Sequence, residues 1–395
     1  MDASLDKAAE RSARCERSAS YFGAARRVVV KIGSTLIVDP ETGQLNAKWL
    51  GTLAADLAAL RARGQEVLIV SSGAVALGRA ALGLGRDRRL DTAQAAAAAG
   101  QIGLVNAWRE VLDGQGLRAA QVLLTLDDSE QRQRYLNARA TLERLLALGV
   151  VPIVNENDTV ATAEIRYGDN DRLAARVAQL ASADCLVLLS DVDALYTADP
   201  TRYPDAQPIP LVEDIDASIV AMAGESASDL GSGGMITKLA AARVALGAGC
   251  HMAIASGRVP HPLAALAKGA RCTWFAARQS PTTVRKQWIA GSLQPAGELL
   301  IDAGAASALA RGSSLLPAGV LTVLGEFSRG DAVVVREPEG PPLAQGLVAY
   351  SAREARSIRG RHSRDIESLL GYRGRDELIH RDDLVMLARS TGPKP

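Results

Sequence analysis

Apolar and polar positions follow a repeating order from Arg27 to about Arg278: a short apolar run, a polar or glycine-bearing turn, then a longer stretch with apolar residues every three or four positions. The short runs read as strands and the longer stretches as helices. Arg27–Ile32 (RVVVKI) is a strand running into Gly33-Ser34-Thr35. Asn46 caps a helix through about Arg63, with Leu50, Leu53, Leu57 and Leu60 on one face and Gly64 as its stop. Glu66–Val70 is a second strand, ending in Ser71-Ser72-Gly73-Ala74, and an Ala-rich helix covers about Thr92 to Leu112. Strand Arg118–Leu124 leads to a helix from Ser129 to about Leu148, and strand Val150–Val154 to a polar loop. A short helix from about Asp171, strand Asp184–Leu189, helix Met235–Leu246 and strand His251–Ala255 complete the series. Strands alternating with helices predict an α/β fold: a three-layer αβα sandwich around a mainly parallel sheet.

The pattern changes after Arg278. Residues 279–295, beginning Gln279-Ser280-Pro281-Thr282-Thr283, read as a linker, and short β runs dominate beyond it: Glu298–Ile301, Val320–Leu324, Ala332–Arg336 and Leu343–Tyr350. A separate small β-rich domain is expected over 296–388. Residues 1–26 are mixed in charge, rich in Ala, Ser and Arg, without the apolar core of a signal peptide, and read as a flexible extension.

Chemistry-bearing residues gather where strands end. In open α/β sheets that is where ligands bind, in the crevice beyond the strands' carboxyl ends. Asn155–Asp171 (NENDTVATAEIRYGDND) puts two acid/amide clusters into one loop directly after a buried strand. Gly231–Lys238 (GSGGMITK) precedes a helix. Glycines there let backbone N–H groups approach an anion, and the helix start adds its positive end. The spacing is not that of a Walker A loop. Lys31 stands just before Gly33-Ser34-Thr35 on the first strand. Only seven of the 45 basic residues are lysine, so a lysine kept inside such a motif suggests a need for a compact ammonium. Two lysines flanking one phosphate-sized gap would form a phosphoryl-transfer clamp.

Composition narrows the field. Formal net charge is +1 and 48% of residues are apolar, which argues against nucleic-acid binding by bulk charge. No apolar run reaches the roughly 18–20 residues that span a membrane. Cys15, Cys185, Cys250 and Cys272 lack metal-ligand spacing and read as reduced thiols of a cytoplasmic protein.

Taken together, VVVKIGST, VSSGAVALG, YLNAR (Tyr135–Arg139), NENDTVATAEI with RYGDND, YTADP, GSGGMITK, PAGEL (Pro295–Leu299) and RGSSLLPAG (Arg311–Gly319) resemble, in order and spacing, the glutamate 5-kinases. These are members of the amino acid kinase family that carry a C-terminal PUA domain. The resemblance runs from about Arg27 to Leu387. It implies an amino acid kinase domain over 27–278 and a PUA domain over 296–388. The implied reaction is transfer of the ATP γ-phosphoryl group to the γ-carboxylate of L-glutamate, giving L-glutamyl 5-phosphate, the first step of proline synthesis.

By the same resemblance Lys31 and Lys238 stabilise the phosphates and Asp171 holds those lysines. Ser72, Asp158 and Asn170 match the glutamate-binding positions. Lys31, Ser190, Asp191, Ser232, Gly233, Gly234, Met235, Ile236, Thr237 and Lys238 match the nucleotide-binding ones. ATP and Mg2+ are the implied cofactors, with no dedicated protein metal cage. Proline is the expected feedback inhibitor and a homo-oligomer the expected assembly. A PUA domain contacts RNA in other enzymes, but in 296–395 basic and acidic residues balance at 13 each, and only Arg353–Arg364 is locally basic. Arg166 stands where many members have Lys, in keeping with the preference for Arg throughout the chain. An RNA-binding protein on a kinase-like fold and a sister kinase for another carboxylate or phosphate are the alternatives. The lysines speak against the first, and the acidic loop, which welcomes an α-ammonium, against the second.

Overall fold

The structure, a computed structural model, describes residues 20–85, 89–160, 170–223, 234–291 and 294–387. The chain divides after Pro281 into two compact units.

Among its described residues the first unit holds ten strands: β1 (Arg27–Ile32), β2 (Glu66–Val70), β3 (Ala119–Leu124), β4 (Val151–Glu156), β5 (Cys185–Ser190), β6 (Leu195–Tyr196), β7 (Pro208–Ile209), β8 (Leu211–Val212), β9 (His251–Ser256) and β10 (Cys272–Phe275). Eight form one sheet in the order β3-β4-β2-β1-β5-β9-β10-β8, while β6 and β7 make a separate hairpin. β1 pairs in parallel with β2 and β5, placing Lys31 opposite Val70 on one side and Leu188 on the other. β10 runs antiparallel to β9. After β1 the chain builds towards β2 and β4, and β5 then returns to the other side of β1. The order of the sheet therefore reverses between β1 and β5, the place where a crevice opens at the strands' carboxyl ends.

Side-chain alternation on β1 decides where Lys31 points. Val28, Val30 and Ile32 pack into one core with Leu50, Leu53, Leu57 and Trp108. Val29 packs into the other, with Leu173, Val177 and Leu239. Side chains two apart on a strand share a face, so Lys31 lies on the face of Val29, beneath the helices Asn170–Leu180 and Met235–Gly247.

Helix Ala47–Ala62 is capped by Asn46, whose side chain accepts the Trp49 N–H. The helix expected over Ser129–Leu148 is two, Leu126–Glu130 and Arg132–Ala147. A capping box between Thr125 and Asp128 starts the first piece early, and Gln131, extended at φ −78 and ψ 113, separates the two. Helices Ala74–Ala81 and Pro262–Ala267 and the strands β6, β7, β8 and β10 were not anticipated.

The expected flexible extension does not reach residue 26. Residues 20–24 are helical, Phe22 is buried, and Gln65 Nε2 donates to the carbonyls of Phe22 and Ala25 at 3.1 and 2.7 Å. Tyr21 stacks on His251 with ring centroids 4.1 Å apart. Residues 1–19 lie outside the described ones.

The second unit is a five-stranded sheet in the order β12-β11-β13-β14-β15, formed by β11 (Gly297–Ile301), β12 (Val320–Gly325), β13 (Ala332–Arg336), β14 (Pro342–Leu347) and β15 (Leu384–Met386). Its own core contains Leu299, Ile301, Val333, Val335 and Tyr350. The segment expected as a linker contains the helix Pro281–Gly291. Burial of Ile289, an Arg285 Nε–Asp383 Oδ1 bond of 3.0 Å, and donation from Gln345 Nε2 to the Ile289 carbonyl hold it to this unit. A proline at the first helical position suits a start there, because its missing N–H would have no partner in any case.

Candidate active site

Asp171 is the centre of the arrangement at the carboxyl ends of the strands. It sits in the first turn of the helix Asn170–Leu180 and is fully buried. Lys31 Nζ on β1 lies 2.6 Å from its Oδ1, and Lys238 Nζ, one turn into Met235–Gly247, lies 3.1 Å from its Oδ2. The Thr237 hydroxyl donates to the Gly234 carbonyl at 2.8 Å and lies 3.3 Å from the same Oδ2. Burial pushes the Asp171 carboxyl up, but the two ammonium groups and their hydrogen bonds outweigh it and hold it below the ordinary carboxylate range. One carboxylate therefore yokes two nearly buried lysines, and the triad carries a surplus positive charge. Ion pairs of this kind are costly to bury. What they provide is a pair of cations fixed in place before an anion arrives.

The second group lies at the end of β2. Ser71-Ser72-Gly73 turns the chain into helix Ala74–Ala81, and Gly73 takes a left-handed φ of 105, open to glycine at little cost. Asn170 Nδ2 donates to Ser72 Oγ at 2.7 Å, tying this turn to the helix that carries Asp171. Asn170 Oδ1 is buried and has no hydrogen-bond partner among the described residues. The same holds for Asn155 Oδ1, at the end of β4, a residue 2% exposed. Sequence reasoning placed Asn155 in the acid/amide cluster without giving it a role. Its signal was a carboxamide continuing a buried strand, where an apolar residue would be expected.

Asp158, in the loop after β4, differs from every other carboxylate whose shift is resolved. The others are lowered, mostly by hydrogen bonds. Asp158 is partly buried, makes no hydrogen bond or ion pair with a described residue, and burial alone raises its pKa to about 6. Among the described residues, then, the Asp158 carboxylate and the Asn155 and Asn170 amide oxygens are acceptors left without a donor. An ammonium would supply the missing donors.

The third group lies beyond β5 and at the start of Met235–Gly247. Ser190 Oγ donates to Asp191 Oδ1 at 2.9 Å, and the Gly257 N–H donates to the Ser190 carbonyl at 2.7 Å. Gly234 is the N-cap of the helix and supplies no side-chain acceptor. Among the described residues the N–H groups of Met235, half-buried, and Ile236, exposed, have no side-chain cap, whereas the Thr237 N–H donates to the Gly234 carbonyl at 3.1 Å. Ser232 and Gly233 lie outside the described residues. The structure brings Lys31, Asp171, Lys238, Thr237, Ser72 and Asn170 into one connected set. It places Asp158, Ser190, Asp191, Gly234, Met235 and Ile236 at neighbouring strand or helix ends.

Among the described residues no group of three or more His, Cys, Asp or Glu side chains could hold a metal ion, and Asp171 is committed to the lysines. No described helix is long and apolar enough to cross a membrane.

Comparison with known proteins agrees with this geometry. The profile of the Amino acid kinase family matches residues 26–256, and that of the PUA domain residues 297–370. The chain is similar to a protein of Paramagnetospirillum magneticum named Glutamate 5-kinase, at 62% identity over 367 residues, covering 93% of this chain and 99% of the relative. A protein of the same name from a Bradyrhizobium species is 60% identical, covering 91% and 96% of the two chains. A solved carbamate kinase from Giardia lamblia bound to AMP-PNP aligns over 64% of this chain and 99% of its own, with a TM-score of 0.46 and 17% identity, too distant to argue from. A yoked lysine pair at the switch point of the sheet, joined to a family match over most of the first unit, gives the conclusion that this chain belongs to the amino acid kinase family and carries a PUA domain after its kinase domain.

Proposed function

We propose that this protein transfers the γ-phosphoryl group of ATP to the γ-carboxylate of L-glutamate, producing L-glutamyl 5-phosphate for proline synthesis. The observation that carries this reading is the preorganised cation pair, Lys31 and Lys238 on Asp171, together with Asp158, a carboxylate in the loop after β4 that has no partner among the described residues. The first suits a transferring phosphoryl group and the second an α-ammonium. The name shared by relatives about 60% identical to this chain supports the same substrate.

The chemistry asks little of the protein beyond placement. A γ-carboxylate with a reference pKa near 4.3 is already ionised at neutral pH, so no general base is needed. Its oxygen attacks the γ-phosphorus in line, the bond to the β,γ-bridging oxygen breaks, and ADP leaves with that oxygen. Lys31 and Lys238 stabilise charge on the transferring group, and Asp171 keeps both ammonium groups aimed. Ser72 and Asn170 hydrogen-bond the glutamate carboxylates, and Asp158 pairs with the ammonium. Lys31 stands opposite Val70, the last residue of β2, and Ser72 follows it in the turn, so both project from the same end of neighbouring strands. Ser190, Asp191 and the segment Ser232 to Lys238 hold the nucleotide, with the uncapped N–H groups after Gly234 donating to its phosphates. Mg2+ would arrive on the phosphates, since this cation keeps several waters and needs few protein ligands.

The test is ADP release measured by enzymatic coupling with L-glutamate, L-aspartate and N-acetyl-L-glutamate. Turnover with glutamate, and little with the acetylated compound that cannot pair with Asp158, is the expected result. Turnover with aspartate or N-acetylglutamate in preference to glutamate would overturn the assignment.

A further inference from the structure

Trp108 is among the largest fully buried side chains of the molecule, and its indole N–H is not spent on the backbone. Nε1 donates to Ser71 Oγ at 2.9 Å, and the Ser71 hydroxyl is directed to the carbonyl of Ser72 at 3.3 Å. The Ser71 N–H donates to the Val154 carbonyl at 2.9 Å, so this residue is held from three sides. Trp108 itself belongs to the long helix Leu90–Asp113, which crosses Ala74–Ala81 at backbone contact. A Cβ on Gly78 would stand 1.6 Å from the Ala96 carbonyl oxygen, and one on Gly100 would stand 1.9 Å from that of Ala74. The long helix thus packs at backbone contact against the helix that emerges from the Ser71–Gly73 turn, and its indole bonds the turn itself.

We infer that Trp108 is a positioning residue for glutamate: through Ser71 it sets the place of Ser72, and so the carboxylate-binding turn, without touching the substrate. This rests on the function proposed above. A packing role alone would need only the apolar body of the ring, which phenylalanine supplies in part. The hydrogen bond is the feature that links the side chain to the site. The bond is buried at both ends, with Trp108 and Ser71 each fully inaccessible, so water cannot replace it when one partner is removed.

The experiment is a double-mutant cycle of Trp108→Phe and Ser71→Ala, with wild type alongside, reading KM for glutamate, KM for ATP and kcat, and checking folding by circular dichroism. Each single variant should raise KM for glutamate about five- to twentyfold, the size of one lost buried hydrogen bond, with KM for ATP and kcat within about twofold. The double variant should be little worse than either single one, because both remove the same bond. Should Trp108→Phe fail to fold, Ser71→Ala alone must still show the selective rise in KM for glutamate. An unchanged KM for glutamate, a parallel loss in all three parameters, or fully multiplicative single effects would overturn the inference. Wild-type protein without glutamate-dependent ADP release would overturn the proposed function, and this inference with it. Wild-type activity with an unselective variant overturns the inference alone.

Discussion

Replacing Asp158 by Asn separates substrate recognition from stability. In the free protein Asp158 is ionised at neutral pH although burial has raised its pKa to about 6 from 3.8. A carboxyl group whose folded pKa is raised binds its proton more tightly in the folded state. Its favourable contribution is complete below the unfolded value near 3.8 and is lost as pH rises through 6, leaving an ionic burden above that. At 1.36 kcal/mol per pKa unit the burden is about 3 kcal/mol at most, and solvent access to this partly exposed group reduces it to about 1–2 kcal/mol. Asn carries no charge. Asp158→Asn should therefore be more stable than wild type in urea at pH 7.5, by about 1–2 kcal/mol, with the difference closing as pH falls from 7 towards 4. The same change should raise KM for glutamate about 10- to 100-fold, because an amide cannot balance an ammonium, while KM for ATP stays within about twofold. In wild type, kcat/KM for glutamate should decline as pH falls through 6, and the variant should lose that decline. A variant less stable than wild type at pH 7.5, or one with both Michaelis constants raised equally, would refute the reasoning.

Lys31→Ala and Lys238→Ala should each fold and lose about 10²–10³ in kcat, as removal of a preorganised charge does elsewhere; retention of more than about half of wild-type turnover would exclude that lysine. His251 accepts the Ala277 N–H on Nδ1 and stacks on Tyr21; burial lowers its pKa, and nearby Asp184 opposes this less strongly. Its depressed pKa gives stability that is complete above about 6.5 and is lost as pH falls through the folded value, so denaturation followed from pH 7.5 to 5 should show this loss in wild type and less of it in His251→Phe. A chain ended after Ser280 removes the second unit together with the helix bound to it, and should keep ADP release once circular dichroism shows it folded; a folded but inactive product would mean that the second unit helps to build the catalytic centre.

How much could be read in advance follows from what each element depends on. β1, β2, β4, β5 and β9 were legible because strands buried on both faces are near-continuous apolar runs. β8 and the β6–β7 hairpin have two residues per strand, too few for any period to appear. Ala74–Ala81 was not anticipated: it is short and carries glycines, which weaken a helical pattern, yet Gly73 starts the helix and Gly78 permits its close crossing. Polar residues around Pro281 suggested a linker, yet burial of Ile289 and the Arg285–Asp383 pair, 98 residues apart, make a helix there. Within the site, scarcity of lysine pointed to Lys31 and Lys238, but the roles of Asp171 and Asn170 came from family resemblance. That no described side chain pairs with Asp158 depends on the placement of distant residues, and no local pattern records that.

The most direct test of the central claim is to follow oxygen. Wild-type protein is supplied with ATP, Mg2+ and L-glutamate labelled with 18O at both γ-carboxylate oxygens, and the acyl phosphate is trapped with hydroxylamine. Attack by hydroxylamine at the acyl carbon releases the bridging oxygen with the phosphate. Attack of the γ-carboxylate on phosphorus predicts one 18O in each phosphate released by trapping, together with γ-glutamyl hydroxamate. Phosphate without 18O, or the absence of hydroxamate while ADP is released, would contradict phosphoryl transfer to the glutamate side chain.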